Sequence, residues 1–375
     1  MAEEAEYMDA KGLREDYADS QHSDGVFDEA ETTDAASATA QSPLGYEINS
    51  YGADYPVDAL VKRVEENNII VPPFQRGFVW SQTDASRFVE SLLLGFPVPA
   101  IFLSKEARNR FLVVDGQQRL TTLHSFYTGT IREKKFRLIG VNKAFENKTY
   151  GELDEFFKNR LDNSIVHAII VQQDEPKEEQ ASSIYLLFER LNSWGRPLFP
   201  QEIRACVDHG PLIVLLHELN EVKAWRDIYG KPSRRLKDEE LILRFLALYF
   251  KAKYQSPMKT FLNDFSHENR RIADGKAEEF RSRFLSTVNV IFAALGEKAF
   301  RLTRAFNAAV FDAVMVGVAR RLEKGPIQEI SDVKKAYNDL VRLPEFVSST
   351  ATATAREDNV AGRLKLATTA FSSVR

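Results

Sequence analysis

The chain has 375 residues, 44% of them hydrophobic, a formal net charge of -4 and one cysteine. That length supports two or three domains with a sizeable core. The lone Cys206 excludes an internal disulfide or a multi-cysteine zinc site, no apolar run approaches the roughly 18 residues of a membrane span, and the acidic start argues against a secretory signal, so a cytoplasmic protein with no membrane partner is expected. The charge is unevenly spread. Residues 1–44 hold twelve acidic and two basic residues, a balance of -10, which leaves 48 basic and 42 acidic residues, or +6, for 45–375.

In chain order, residues 1–44 are poor in large apolar side chains and end in TTDAASATAQS; a disordered acidic tail is expected there. Order is expected from Tyr46. YEINSY reads as a strand, PVDALVKRVEEN as a helix and NIIV as a short strand, followed by the loop PPFQRGFVW. SQTDASRFVESLLLG reads as a helix with Ser81 at the N-cap and Asp84 three residues on, a capping-box spacing. AIFLS and FLVV read as strands, QQRLTTLHSFYTG as a helix ended by Gly129, KKFRLIG as a strand, YGELDEFFKNRL as a helix and SIVHAIIVQQ as a strand. Beyond about residue 175 apolar residues recur at three-to-four spacing only. Helices are predicted over KEEQASSIYLLFERLN, over FPQEIRACVDHGPLIVLLHELNEVKAW with a break near Gly210-Pro211, and over the segments beginning DEELILRF, MKTFLNDF, KAEEFRSRF, RAFNAAVFD and SDVKKAYND. The expected fold class is α+β: an α/β domain over 45–175, then an all-helical domain over 176–375.

FLVVDGQQRLTTLHSF, residues 111–126, carries the most chemistry. A strand ending in Asp115-Gly116 and turning into a helix presents backbone N–H groups and a helix dipole that favour an anion. Gly116 lets the chain turn sharply or approach a ligand. Arg119, one turn in, can offer a planar fork to a phosphate oxygen, and Asp115 can orient a ribose hydroxyl, a water or a magnesium ion. Gln117 and Gln118 add neutral donors and acceptors, and Thr121 and Thr122 add hydroxyls. Asp-Gly is also a common turn, and Gln-Gln-Arg-Leu starts helices well, so these residues alone leave a plain turn open. Neither GxxxxGK[ST] nor GxGxxG occurs.

Two further segments add to the set. IIVPPFQRGFVW sets Gln75 and Arg76 in a proline-braced loop among Phe74, Phe78 and Trp80, and FERLNSWGRPLFPQEIR breaks a helix near Asn192 and brings Arg190, Asn192, Arg196, Gln201, Glu202 and Arg204 to the break. Each alone also fits a stacking contact at the core edge or a capped helix junction.

In this order, VPPFQRGFVW, ESLLLGFPVPAIFL, VVDGQQRLTTL and FERLNSWGRPLFPQEIR resemble the N-terminal domain of GmrSD-type modification-dependent restriction endonucleases, a family related to the ParB and sulfiredoxin nucleotide-binding fold. The resemblance covers about residues 46–205, and RRLKDEELILRFLALYF is similar to the family's continuation. It implies a nucleoside-triphosphate-binding module, hydrolysing its nucleotide, that gates a nuclease in DNA restriction and phage defence. By this resemblance Asp115 and Arg119 are the candidate catalytic pair, Gly116, Gln117, Gln118 and Thr121 line the phosphate side, Gln75 and Arg76 form the first polar motif, and Arg190 and Asn192 complete the cofactor site, Asn192 near a magnesium ion by looser analogy with ParB. Mg²⁺ with a nucleoside triphosphate of unspecified base is the implied cofactor; DNA and a separate nuclease subunit are the implied partners. The six histidines, His22, His124, His167, His209, His217 and His267, do not form the pattern of the HNH-like nuclease usual in the family, so HNH activity is not expected of this chain. A DNA-binding module without nucleotide turnover, and a stand-alone ParB-like nuclease, are the competing readings.

Overall fold

The computed structural model describes residues 48–375 except 72–77, 79, 107–109, 132, 174–180, 192–197, 234 and 252. The expected tail over 1–44, the Gln75-Arg76 pair, Asn192 and Arg196 fall outside the described residues. The chain forms two compact units, Pro43–His209 and Gly210–Arg375.

The first unit is built on a five-stranded mixed sheet. In chain order it contains β1 (Ile48–Pro56), α1 (Val57–Glu65), β2 (Ile69–Ile70), α2 (Gln82–Leu94), β3 (Ile101–Lys105), β4 (Phe111–Asp115), α3 (Gln117–Thr128), the small hairpin β5 (Thr130–Ile131) and β6 (Lys134–Lys135), α4 (Glu155–Asp162), β7 (Ile165–Gln173), α5 (Ala181–Leu191) and α6 (Pro200–Val207). The strand order is β1-β7-β3-β4-β2; β1 and β7 are antiparallel, β7 and β3 parallel, β3 and β4 antiparallel, and β4 and β2 parallel. Alternate residues of the strands face opposite layers. Ile101, Leu103, Phe111 and Val113 join a core with residues of α1 to α4, whereas Leu112 and Val114 join Tyr185, Phe188, Ile203 and Cys206 of α5 and α6 on the other face. That second layer carries the first unit on to His209, past the end expected at residue 175, because α5 and α6 bury their apolar stripes on β4.

Local expectations mostly held, with two corrections. Ser81 caps α2 through its Oγ, which accepts from the Asp84 amide at 3.1 Å, while the Asp84 carboxylate accepts from the Ser81 amide at 3.2 Å. KKFRLIG is a strand only at Lys134–Lys135. Beyond it, Leu138 exchanges backbone bonds with the Lys148 and Asn147 loop, and the Ile139 amide donates to Ser86 Oγ at 3.0 Å; these partners satisfy the backbone without a neighbouring strand. YGELDEFFKNRL is not one helix. A 3₁₀ turn at Tyr150–Glu152 is closed on Thr149 by the Glu152 carboxylate, 3.0 Å from the Thr149 amide, and α4 starts only after Asp154.

Among the described residues of the second unit there is no strand. Its helices are α7 (Pro211–Asn220), α8 (Lys223–Tyr229), α9 (Lys237–Phe250), α10 (Met258–Asn269), α11 (Asp274–Leu295), α12 (Ala308–Leu322), α13 (Ile330–Leu340), α14 (Pro344–Ala351) and α15 (Glu357–Phe371). The predicted break between α6 and α7 is present at Gly210-Pro211. Helix α12 is buried from Ala308 through Ala319, which makes it the central helix. Gly317 lets α15 approach closely: a Cβ there would lie 3.0 Å from the Ala367 backbone carbon and 2.9 Å from the Phe371 ring. Around Trp225, rings of Tyr229, Phe284, Phe306 and Phe311 pack at 5.4–6.2 Å.

At the start of α9 the Glu239 side chain is 1% exposed; its Oε1 lies 3.2 Å from His217 Nδ1 and its Oε2 has no hydrogen-bond partner among the described residues. Burial, with the adjacent Asp238 charge, raises the Glu239 pKa to about 7 against the pull of His217 and Arg226. The folded state therefore holds this proton more tightly than the unfolded chain. The stability this contributes is complete below the ordinary carboxylate value and is lost as pH rises through about 7. Glu239→Gln removes the ionisation, so relative to the wild type its melting temperature should rise more at pH 8 than at pH 5, by an amount corresponding to about 1–3 kcal/mol. Equal differences at the two pH values would contradict this.

Candidate functional site

Strand β4 is buried from Phe111 through Val114, and Asp115 is its first partly exposed residue. Asp115 sits opposite Phe102, where the β3–β4 register is irregular between Phe102 and Leu103. The chain then turns through Gly116, whose φ of 101° lies in the left-handed region. A Cβ at Gly116 would stand 2.5 Å from Ile101 Cγ2, and Ile101 is fully buried in the core. Glycine is thus required both by conformation and by close approach. The sequence motif Asp-Gly and the strand-to-helix turn predicted for it are found as expected.

Helix α3 opens without a side-chain cap and with no acidic residue in its first turn, in contrast to the boxed start of α2. The N-cap residue Gly116 has no side chain to accept from the first turn, whose amides and dipole favour negative charge. Arg119 lies across the turn. Its Nη2 donates to Asp115 Oδ2 at 2.6 Å, with the arginine side chain 12% and the aspartate side chain 40% exposed. Gln118 Oε1 accepts from the Trp80 amide at 3.2 Å, and Trp80 packs edge-on to Phe88 at 5.6 Å. The downstream end of the FQRGFVW loop is thereby tied to the first turn of α3. Gln117 and Thr121 are half-buried and share a helical stripe with His124 by their four- and three-residue spacing. The next residue, Thr122, is fully buried, and its Oγ1 has no hydrogen-bond partner among the described residues.

On the other face of the sheet, α5 carries Tyr185 and Phe188 against Leu112 and Val114, and Arg190 lies exposed in its last turn. The Tyr185 hydroxyl donates to the buried Asp208 carboxylate. Helix α6 begins with Pro200 at its first position, and Glu202 Oε2 accepts from the Phe199 amide at 2.6 Å. Arg204 Nη1 donates to Gln201 Oε1 at 2.9 Å, and Cys206 Sγ to the Glu202 carbonyl at 3.0 Å. Gln201, Glu202 and Arg204 are all buried. Sequence spacing placed these three near the helix break but could not show that they pack inward. The signal was present in FPQEIR, whose proline and Glu three residues after Phe199 mark a helix start. Asp208, which caps the end of α6, is the buried acceptor for Tyr185.

The structure therefore joins Asp115 to Arg119 across Gly116 and ties Gln118 to Trp80. Among the described residues, no group of three or more His, Cys, Asp or Glu side chains is arranged to hold a metal ion, and no helix is long and apolar enough to cross a membrane.

Residues 57–207 match the model of the GmrSD restriction endonuclease, N-terminal domain. An uncharacterized protein of Methanocaldococcus jannaschii is 31% identical over 130 residues, covering 28% of this chain and 21% of the relative. The chain thus spans about a fifth of the length of that curated relative. The matched segment contains β4, Gly116, α3 and the FPQEIR helix, so over residues 57–207 the chain carries a domain of the GmrSD restriction endonuclease N-terminal type.

Proposed function

We propose that this chain is a nucleoside-triphosphate-binding module of a DNA restriction system, that the triphosphate lies against the β4–α3 turn, and that its binding regulates a nuclease. The observation that carries this reading is the turn itself: a strand running into a helix start through a glycine that admits no side chain, with the Arg119 guanidinium beside it. Helix-start amides and the dipole favour an anion, and a guanidinium adds a charge-assisted donor. The donor set also fits a magnesium ion of one particular kind. A lone, partly exposed carboxylate does not cage a protein-held ion, but a nucleotide-borne Mg²⁺ needs only one or two carboxylates beside phosphate oxygens and water. Asp115 is the residue that would meet it, and Mg²⁺ would neutralise charge on the transferring phosphoryl group. The chain's own contribution is positioning: Gly116 brings the backbone to the phosphates, Gln118 fixes the turn to the neighbouring loop, and Arg119 supplies charge.

Thermal melting with ATP, GTP, CTP and UTP, each with Mg²⁺, tests the reading. At a hundredfold excess over Kd, binding stabilises the folded unit by about 2.7 kcal/mol, a shift of a few degrees for at least one nucleotide. Failure of all four to raise the melting temperature would contradict it.

A further inference from the structure

Asp115 and Arg119 are partners across the turn: Nη2 donates to Oδ2 at 2.6 Å. We infer that Asp115 competes with phosphate for Arg119, and that a divalent cation arriving with the triphosphate releases the guanidinium by taking over the carboxylate. This inference rests on the nucleotide reading above and adds a regulation to it: the site would discriminate metal-complexed triphosphate from the free anion.

The geometry supports this in three ways. The carboxylate is the accessible half of the pair, 40% exposed against 12% for the arginine, so an incoming hydrated cation meets Asp115 first. Both backbones are fixed, Asp115 by its pairing with Phe102 and the α3 start by the Gly116 turn against Ile101, so the exchange requires only side-chain torsions. A carboxylate accepts from a guanidinium or ligates a hard cation through the same oxygens, so a divalent cation on Asp115 draws off its charge and repels the guanidinium, which weakens the bond that holds Nη2. Without a cation, a triphosphate faces an arginine whose charge is already matched and a carboxylate that repels it. With one, it faces a bridging cation and a released fork. No covalent step is involved.

A double-mutant cycle on nucleotide affinity tests this. Calorimetric titrations of ATP, GTP, CTP and UTP are made in EDTA and in Mg²⁺ with the wild type, Asp115→Asn, Arg119→Ala and the double variant. Asp115→Asn should bind the free triphosphate about tenfold more tightly than the wild type in EDTA, and should gain less from Mg²⁺ than the wild type does. In the Arg119→Ala background the same Asp115→Asn change should have a much smaller effect in EDTA, since there is no guanidinium to release. An equal gain in both backgrounds would reduce Asp115 to a repulsive charge and overturn the inference while leaving the nucleotide site standing. No gain in either background overturns it in the same way. If the wild type binds none of the four in either condition, the nucleotide reading falls, and this one with it.

Discussion

Asp312→Ala is expected to cost the helical unit about 3–5 kcal/mol, the scale for breaking a buried ion pair. Asp312 stands in the middle of the buried helix α12 and is itself fully buried. Arg244 of α9 grips it with two bonds, Nη2 to Oδ2 at 2.6 Å and Nε to Oδ1 at 3.2 Å, and Arg363 of α15 adds Nη2 to Oδ2 at 2.8 Å. Both arginines are buried, and Arg363 also donates through Nη1 to the Thr354 carbonyl. One carboxylate therefore serves two cations from two other helices. Its removal takes from two buried guanidinium groups the carboxylate they share, which is the costly case of burial. Calorimetric melting should show the loss, and Asp312→Asn should be intermediate, since an amide oxygen keeps an acceptor but not the charge. Replacing all three with apolar residues of similar volume (Arg244→Met, Asp312→Leu, Arg363→Met) should recover most of the stability, because it removes the charges together with the need to pair them. A melting temperature for Asp312→Ala within about a degree of wild type would contradict this account of the α9–α12–α15 junction.

The same triad shows where the sequence stops being legible. RAFNAAVFDAVMVGVARRL announces a helix through its apolar spacing, and α12 forms there. An Asp in such a run carries no sign of its partners, since Arg244 and Arg363 lie 68 and 51 residues away. Likewise α14 and α15 went unpredicted: PEFVSSTA and EDNVAGRLKLATTAF mix small and hydroxyl residues that blur the helical stripe, and it is tertiary contacts, such as Gly317 against Ala367 and Arg363 on Asp312, that hold α15 in place. The strand-to-helix turn was legible because its constraints are local. Four apolar residues, then a small residue with a required positive φ, then good helix formers specify it within a dozen positions. What those positions could not specify was the pairing of Arg119. The structure joins Arg119 to Asp115 and gives Glu202 to the start of α6. Gln75, Arg76 and Asn192, three residues of the expected site, lie outside the described residues, so their part in the site stays with the resemblance that suggested it.

Arg119→Ala carries the second large expected effect. Removing a charge-assisted donor from a bound phosphate costs about 1.5–3 kcal/mol, or roughly ten- to a hundredfold in affinity. The fold should be little affected, because the substitution leaves behind a carboxylate that is 40% exposed and can be hydrated, not a buried unpaired charge. Arg119→Lys keeps a charge but loses the planar fork, so its affinity should fall between the two. Isothermal titration of the Mg²⁺-bound nucleotide that shifts the wild-type melt, into wild type, Arg119→Lys and Arg119→Ala in parallel with their melting curves, tests the β4–α3 turn as a phosphate site most directly. The account predicts graded weakening of binding in that order with melting temperatures nearly unchanged; equal nucleotide affinity in all three proteins would contradict it.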